Sequence, residues 1–162
     1  MGDILVDIAI SKNNPQKDRL FFPICYNYRH FIELCLKHLI LKSEELYFIL
    51  KCYNMQNKEC QYEFKEEVNN THNIEKLLNR LTMVLNCISD DKFSTNIIKS
   101  ILEFHEIDRT GQAFRYPKNR DDILHFEIRE EFDLTKIKMA INEMGNYLMG
   151  IDIYLELLIF FV

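Results

Sequence analysis

Glycine and proline are scarce, four and three in 162 residues, which disfavours a turn-rich all-β sandwich and favours helices. A basic excess is also missing. The formal charge is −5, so the chain as a whole is no phosphate-neutralising glove, and contact with RNA requires a local basic patch. No long apolar run occurs: the most apolar segment, residues 151–162, is short and broken by Asp152 and Glu156, so it reads as a core or dimer helix and no membrane span is expected. The five cysteines (Cys25, Cys35, Cys52, Cys60, Cys87) are an odd set without a close pair at metal-ligand spacing, and they read as reduced thiols of a cytoplasmic protein. The opening MGDILVDIAI has neither a basic n-region nor a small-residue cleavage site, so no signal peptide is expected. A glycine-rich phosphate loop, a His-Glu-x-x-His helix, a nucleophile elbow and a Cys-x-x-Cys pair are all absent, and nothing in the sequence requires a metal or cofactor.

What remains is a globular composition, 48% hydrophobic and 28% charged, with no linker long enough to divide it. A single domain over 1–162 is expected, mainly α. Residues 11–18 read as a polar loop. Ile24, Tyr28, Phe31, Ile32, Cys35, Leu36 and Leu39 recur at three- and four-residue steps and predict a helix over 22–42. A second helix, or its continuation, covers 43–52, and 54–68 is polar enough to be an exposed connection. Asn69-Asn70-Thr71 signals a helix start before the stripe from Ile74 to Ile88, and another helix runs from about Asp90-Asp91 to His105. Asp108 to Gly111 is a turn. Leu124, Phe126 and Ile128 alternate with polar residues, predicting a small β-hairpin or extended insertion near 112–131. Asp133 caps a further helix to about Gly150, with Phe132 and Ile137 placed as a hydrophobic staple.

Three groups of residues have the chemistry for an RNA phosphodiester. Arg29, His30, Glu33 and Lys37 share an arc of roughly 100° on the first long helix, away from its apolar stripe. An arginine offers a cationic fork to phosphate, and a histidine moves protons near neutral pH. A solvated helix face with i,i+4 ion pairs satisfies the same pattern. His72 falls in the first turn of a predicted helix, where the macrodipole keeps an imidazole neutral and basic; a histidine tolerated near a cap would look the same. Phe114-Arg115-Tyr116-Pro117 sets an arginine between aromatics on a stiffened segment, suited to phosphate-plus-base contact or to anchoring a loop in the core.

The blocks Tyr28-Arg29-His30-Phe31-Ile32-Glu33-Leu34-x-Leu36-Lys37, then Thr71-His72-Asn73-Ile74-x-x-Leu77, then Glu106-Ile107-Asp108-x-Thr110-Gly111-Gln112-Ala113-Phe114-Arg115-Tyr116-Pro117 span much of residues 22–150. Together they resemble prokaryotic HEPN-like proteins associated with defence. That resemblance implies a helical bundle that commonly dimerises; because each subunit offers little basic surface, a dimer pooling two sites is expected, with the apolar segment 151–162 as a contact. It also implies a metal-independent ribonuclease of toxin, abortive-infection or antiviral type, and the convergence of Arg29, His30, Glu33, His72, Arg115 and Tyr116 on one site, with Lys37 and Asp108 in support. Active members of the family usually carry an arginine, four to six residues and a histidine near the start of a late helix. Only Arg120 and His125 fit that spacing here, inside the predicted hairpin, and they form a secondary candidate pair. The expected function is therefore an RNA endonuclease or RNA-binding effector with RNA and a second copy as partners. The competing expectation is a non-catalytic interaction module, such as an antitoxin, immunity or sensor subunit, that pairs with another protein such as a nucleotidyltransferase or binds a nucleotide.

Overall fold

A computed structural model describes residues 2–11, 17–53, 68–109, 111, 114–115 and 133–161. These form α1 (Gly2–Ser11), α2 (Lys17–Cys52), a short 3-10 turn (Val68–Asn70), α3 (Ile74–Ile88), α4 (Thr95–Ile107) and α5 (Leu134–Phe161). No strand occurs among the described residues. The predicted hairpin and the Phe132 half of the staple lie outside them, apart from Phe114 and Arg115, which sit in a turn.

The centre of the bundle is α2, about 54 Å long at the α-helical rise. Ile24, Tyr28, Ile32, Leu36, Leu39 and Ile40 recur along one side and are buried with Ile74, Leu77, Leu78 and Leu81 of α3. The helix is longer than its sequence pattern indicates. It begins at Lys17, within the predicted loop, passes through Pro23, and absorbs the predicted second helix. An internal proline costs about 3 kcal/mol. Leu20, Phe21 and Phe22 flank it and pack on the core, with Phe21 edge-on to Phe22 and Phe114. Apolar burial of that size offsets the lost hydrogen bond.

At α3 the cap falls at Asn73, whose side chain accepts from the Lys76 N–H at 2.9 Å. Val68, expected in an exposed connection, is buried in the 3-10 turn; residues 54–67 lie outside the described set. The predicted Asp90-Asp91 start of α4 moves to Thr95. Asp133 caps α5 as expected, accepting from the Thr135 and Lys136 N–H groups. α5 does not stop at Gly150 but runs to Phe161, because Leu148 and Leu155 lie on one buried side across that position. The segment read as short is thus the end of a helix that, by length and composition alone, is long and apolar enough to cross a membrane. Cys25, Cys35 and Cys52 are free, as expected, but Cys87 at the end of α3 is disulfide-bonded, so the reading of all five as reduced thiols does not hold.

Candidate functional site

The solvated-face alternative for Arg29, Glu33 and Lys37 fails. These residues are 4%, 3% and 9% exposed, turned toward the loop that leads into α3. Burying charges without partners is prohibitive, and here each is paired. Glu33 Oε2 accepts from Arg29 Nη1 at 3.1 Å, while Oε1 accepts from Lys37 Nζ at 2.9 Å and lies 2.9 Å from His72 Nδ1. Burial pushes the Glu33 carboxyl up, but the hydrogen bonds and charges of Lys37 and His72 outweigh it and hold the group below the usual carboxylate range.

Arg29 ties three chain segments together. Its Nη2 donates to the His72 carbonyl at 2.8 Å, and its Nε donates to the Asp108 carbonyl at 3.2 Å and lies 3.7 Å from Asp108 Oδ2. Gly111 passes directly over the guanidinium. Its φ is +72°, and a Cβ there would lie 2.9 Å from Arg29 Cζ, so both backbone sign and space favour glycine. With its side chain 5% exposed and its nitrogens directed at protein acceptors, Arg29 positions its neighbours rather than meeting a phosphate as the sequence led us to expect.

His72 precedes the Asn73 cap and so lies outside α3, not in its first turn. What orients it is Glu33. An ionised carboxylate can only accept, so Nδ1 carries the hydrogen and Nε2 of the neutral ring is the basic nitrogen. The His72 side chain is 68% exposed while Glu33 is buried. A buried, charge-anchored carboxylate therefore fixes the tautomer and aim of a solvent-facing imidazole.

His30 stands apart from this network. It is exposed and stacks on Tyr26, with centroids 6.0 Å apart and planes within 3°. Arg115 reaches the same tyrosine, its Cζ 4.9 Å from the ring centroid and Nη2 donating to the hydroxyl at 2.8 Å. Tyr26 escaped sequence reasoning, although its i,i+4 relation to His30 was a signal. Tyr116, Arg120 and His125 lie outside the described residues. The structure thus joins Arg29, Glu33, Lys37, His72 and Asp108 in one network, and His30 with Arg115 through Tyr26.

A second residue missed from sequence is His105, on the apolar stripe of α4. It is 2% exposed, and among the described residues its Nδ1 has no hydrogen-bond partner. Burial, followed by the charge of Arg29, holds its pKa below the ordinary histidine value. Among the described residues no group of three or more His, Cys, Asp or Glu side chains is arranged to hold a metal ion.

The class defined so far is a helical bundle in which a buried ionic network aims one surface histidine. No family model matches this chain, and no curated protein or solved structure is significantly similar to it.

Proposed function

We propose that this chain acts on RNA, as a metal-independent endonuclease or RNA-binding effector of a prokaryotic defence or toxin-type system. The observation that carries the reading is the Glu33–His72 pair, a buried carboxylate on Nδ1 with the rest of the imidazole in solvent. A histidine so oriented is built for general base chemistry. In the reaction, His72 Nε2 takes the proton of a ribose 2′-hydroxyl and the 2′-oxygen attacks the adjacent phosphorus. The 5′-oxygen then leaves with a proton from His30, which is outside the ionic network but exposed on α2 three residues before Glu33, giving a 2′,3′-cyclic phosphate and a 5′-hydroxyl. Arg115 contacts phosphate, and Tyr116 stacks on a base. Arg29 holds the His72 backbone and Glu33 in place.

The test is cleavage of end-labelled single-stranded RNA in the presence of chelator, comparing wild type with His72→Ala, His30→Ala and Arg115→Ala. Loss of a proton-transfer group lowers the rate by about 100-fold or more, with cyclic-phosphate ends on the wild-type product. Equal cleavage by wild type and His72→Ala sinks the assignment.

The burial of Arg29 favours a second reading, because it withdraws the strongest phosphate ligand from solvent. In that reading the bundle is a non-catalytic module that pairs with another protein, such as a nuclease or nucleotidyltransferase, or binds a nucleotide. Intact RNA both in the assay and in cells expressing soluble protein selects it.

A further inference from the structure

The two halves of the candidate site hang from one piece of chain, the last turn of α4 and the turn that follows it. Phe104 packs on Phe114, ring centroids 6.2 Å apart, and so steadies the residue before Arg115. One residue on, the His105 carbonyl accepts from the Asp108 N–H at 3.1 Å. The Asp108 carbonyl in turn accepts from Arg29 Nε at 3.2 Å and from the Gly111 N–H at 3.3 Å. Arg29 also holds the His72 carbonyl through its Nη2. Moving the last turn of α4 therefore disturbs Arg29 and His72 on one side, and Arg115, Tyr26 and His30 on the other.

At the centre of that turn is an ionisable group that the proposed chemistry does not use. His105 is buried on a stripe otherwise made of Ile97, Ile101 and Phe104, and among the described residues its Nδ1 has no hydrogen-bond partner. A neutral ring tolerates such a place, whereas an imidazolium needs a partner or water for each N–H. The charges that face it supply none. α2 brings Arg29, a like charge already committed to Glu33, His72 and Asp108. α3 brings Glu75, which is exposed, and α4 itself brings Glu106 and Arg109, both exposed and paired with each other. Asp108, at the end of α4, has its carboxylate 3.7 Å from Arg29 Nε. The C-terminal dipole of α4 favours a cation here, but burial and Arg29 outweigh it.

We propose that His105 is an acid-operated latch on this site. On protonation the imidazolium leaves its dry position for water, the last turn of α4 unwinds, and Asp108 and Gly111 come off Arg29. Arg29, freed of Asp108, no longer holds the His72 carbonyl in a fixed place, and Phe114 with Arg115 is set loose from Tyr26 and His30. Neutral pH closes the latch and mild acid opens it. Its window lies above that of Glu33, whose carboxyl is held below 4.5, so the Glu33 ion pairs persist while the latch opens. Opening takes up one proton. The ratio of open to closed therefore rises by up to about tenfold for each pH unit below 6.5, until the closed form itself is protonated. The latch does not rest on the RNA reading; only its control of cleavage does.

Amide hydrogen exchange followed by NMR between about pH 7.5 and 5, without RNA, measures the opening once each rate is corrected for its intrinsic pH dependence. In the wild type, protection of the Asp108 and Gly111 N–H groups falls by about tenfold or more across that range. At every pH both exchange faster than Leu81, in the middle of α3, which reports opening of the whole bundle. In His105→Gln their protection stays level, because nothing titrates at the position. His105→Leu, matched to the apolar stripe, gives the same result should the glutamine variant melt early. Level protection in the wild type overturns the proposal, as does an equal fall in both variants, or exchange of Asp108 and Gly111 only in step with Leu81. End-labelled RNA then separates the two readings. No cleavage at any pH, with a latch that opens, leaves the latch standing and sinks the RNA reading alone. Cleavage that is lost in acid equally in wild type and His105→Leu refutes the latch's hold on the site.

Discussion

Glu33→Gln tests the buried network most directly, because it keeps the side-chain shape and removes only the charge. Glu33 serves three cationic or potentially cationic groups at 2.9–3.1 Å. Removing one partner of a buried ion pair costs about 3–5 kcal/mol when the remaining charge is stranded. Here the loss is smaller. Arg29 keeps two carbonyls and the Asp108 carboxylate, and His72 is largely in water. The residual cost falls on Lys37, left with the Asn69 carbonyl at 3.3 Å, and comes to about 2–3 kcal/mol. For a domain of this size that lowers Tm by roughly 4–12 °C. Urea unfolding and thermal melts followed by circular dichroism measure both. Adding Lys37→Met to Glu33→Gln removes the stranded ammonium, so the double variant recovers part of the loss rather than adding to it. A loss under about 0.5 kcal/mol for Glu33→Gln, or strict additivity in the double variant, refutes a buried and coupled network.

Acid should act through two groups with the same sign. Glu33 is held below its ordinary range, so its stabilisation is complete above the unfolded value and is lost as pH falls through the folded one; Glu33→Gln removes that part of the acid sensitivity. His105 is held below 6.5, so the fold favours its neutral form, and stability declines as pH drops from about 7 toward 5; His105→Gln flattens urea midpoints over that interval, and an unchanged slope refutes the assignment. Gly111→Ala drives a methyl against Arg29 at a φ of +72° and is expected to cost about 1–3 kcal/mol, with an unchanged Tm counting against the close approach. Alkylation of the denatured, unreduced chain should label Cys25, Cys35 and Cys52 and spare Cys87, and peptide mass mapping that finds Cys87 labelled removes its disulfide.

Sequence periodicity by itself determined that the chain is mainly helical, where α3 carries its buried stripe, that Asp133 opens α5, and that Arg29, Glu33 and Lys37 share one side of a helix. It did so because side-chain direction repeats every 3.6 residues whatever the helix packs against. Only tertiary structure decided what each side meets. Polarity left Arg29, Glu33 and Lys37 open between a solvated face and a reactive site, and the apolar stripe read from sequence did not include Leu34, Leu41 and Phe48; the charged set is buried and these apolar residues are exposed. The outcome follows from partners remote in the chain. The carbonyls of Asn69, His72 and Asp108, 32 to 79 residues away, satisfy the buried charges, whereas no described element covers Leu34, Leu41 and Phe48. The same distant packing carried α2 through Pro23 and set His72 on Glu33. Local patterns assign residues to a common side, and long-range partners determine whether that side can lose its water.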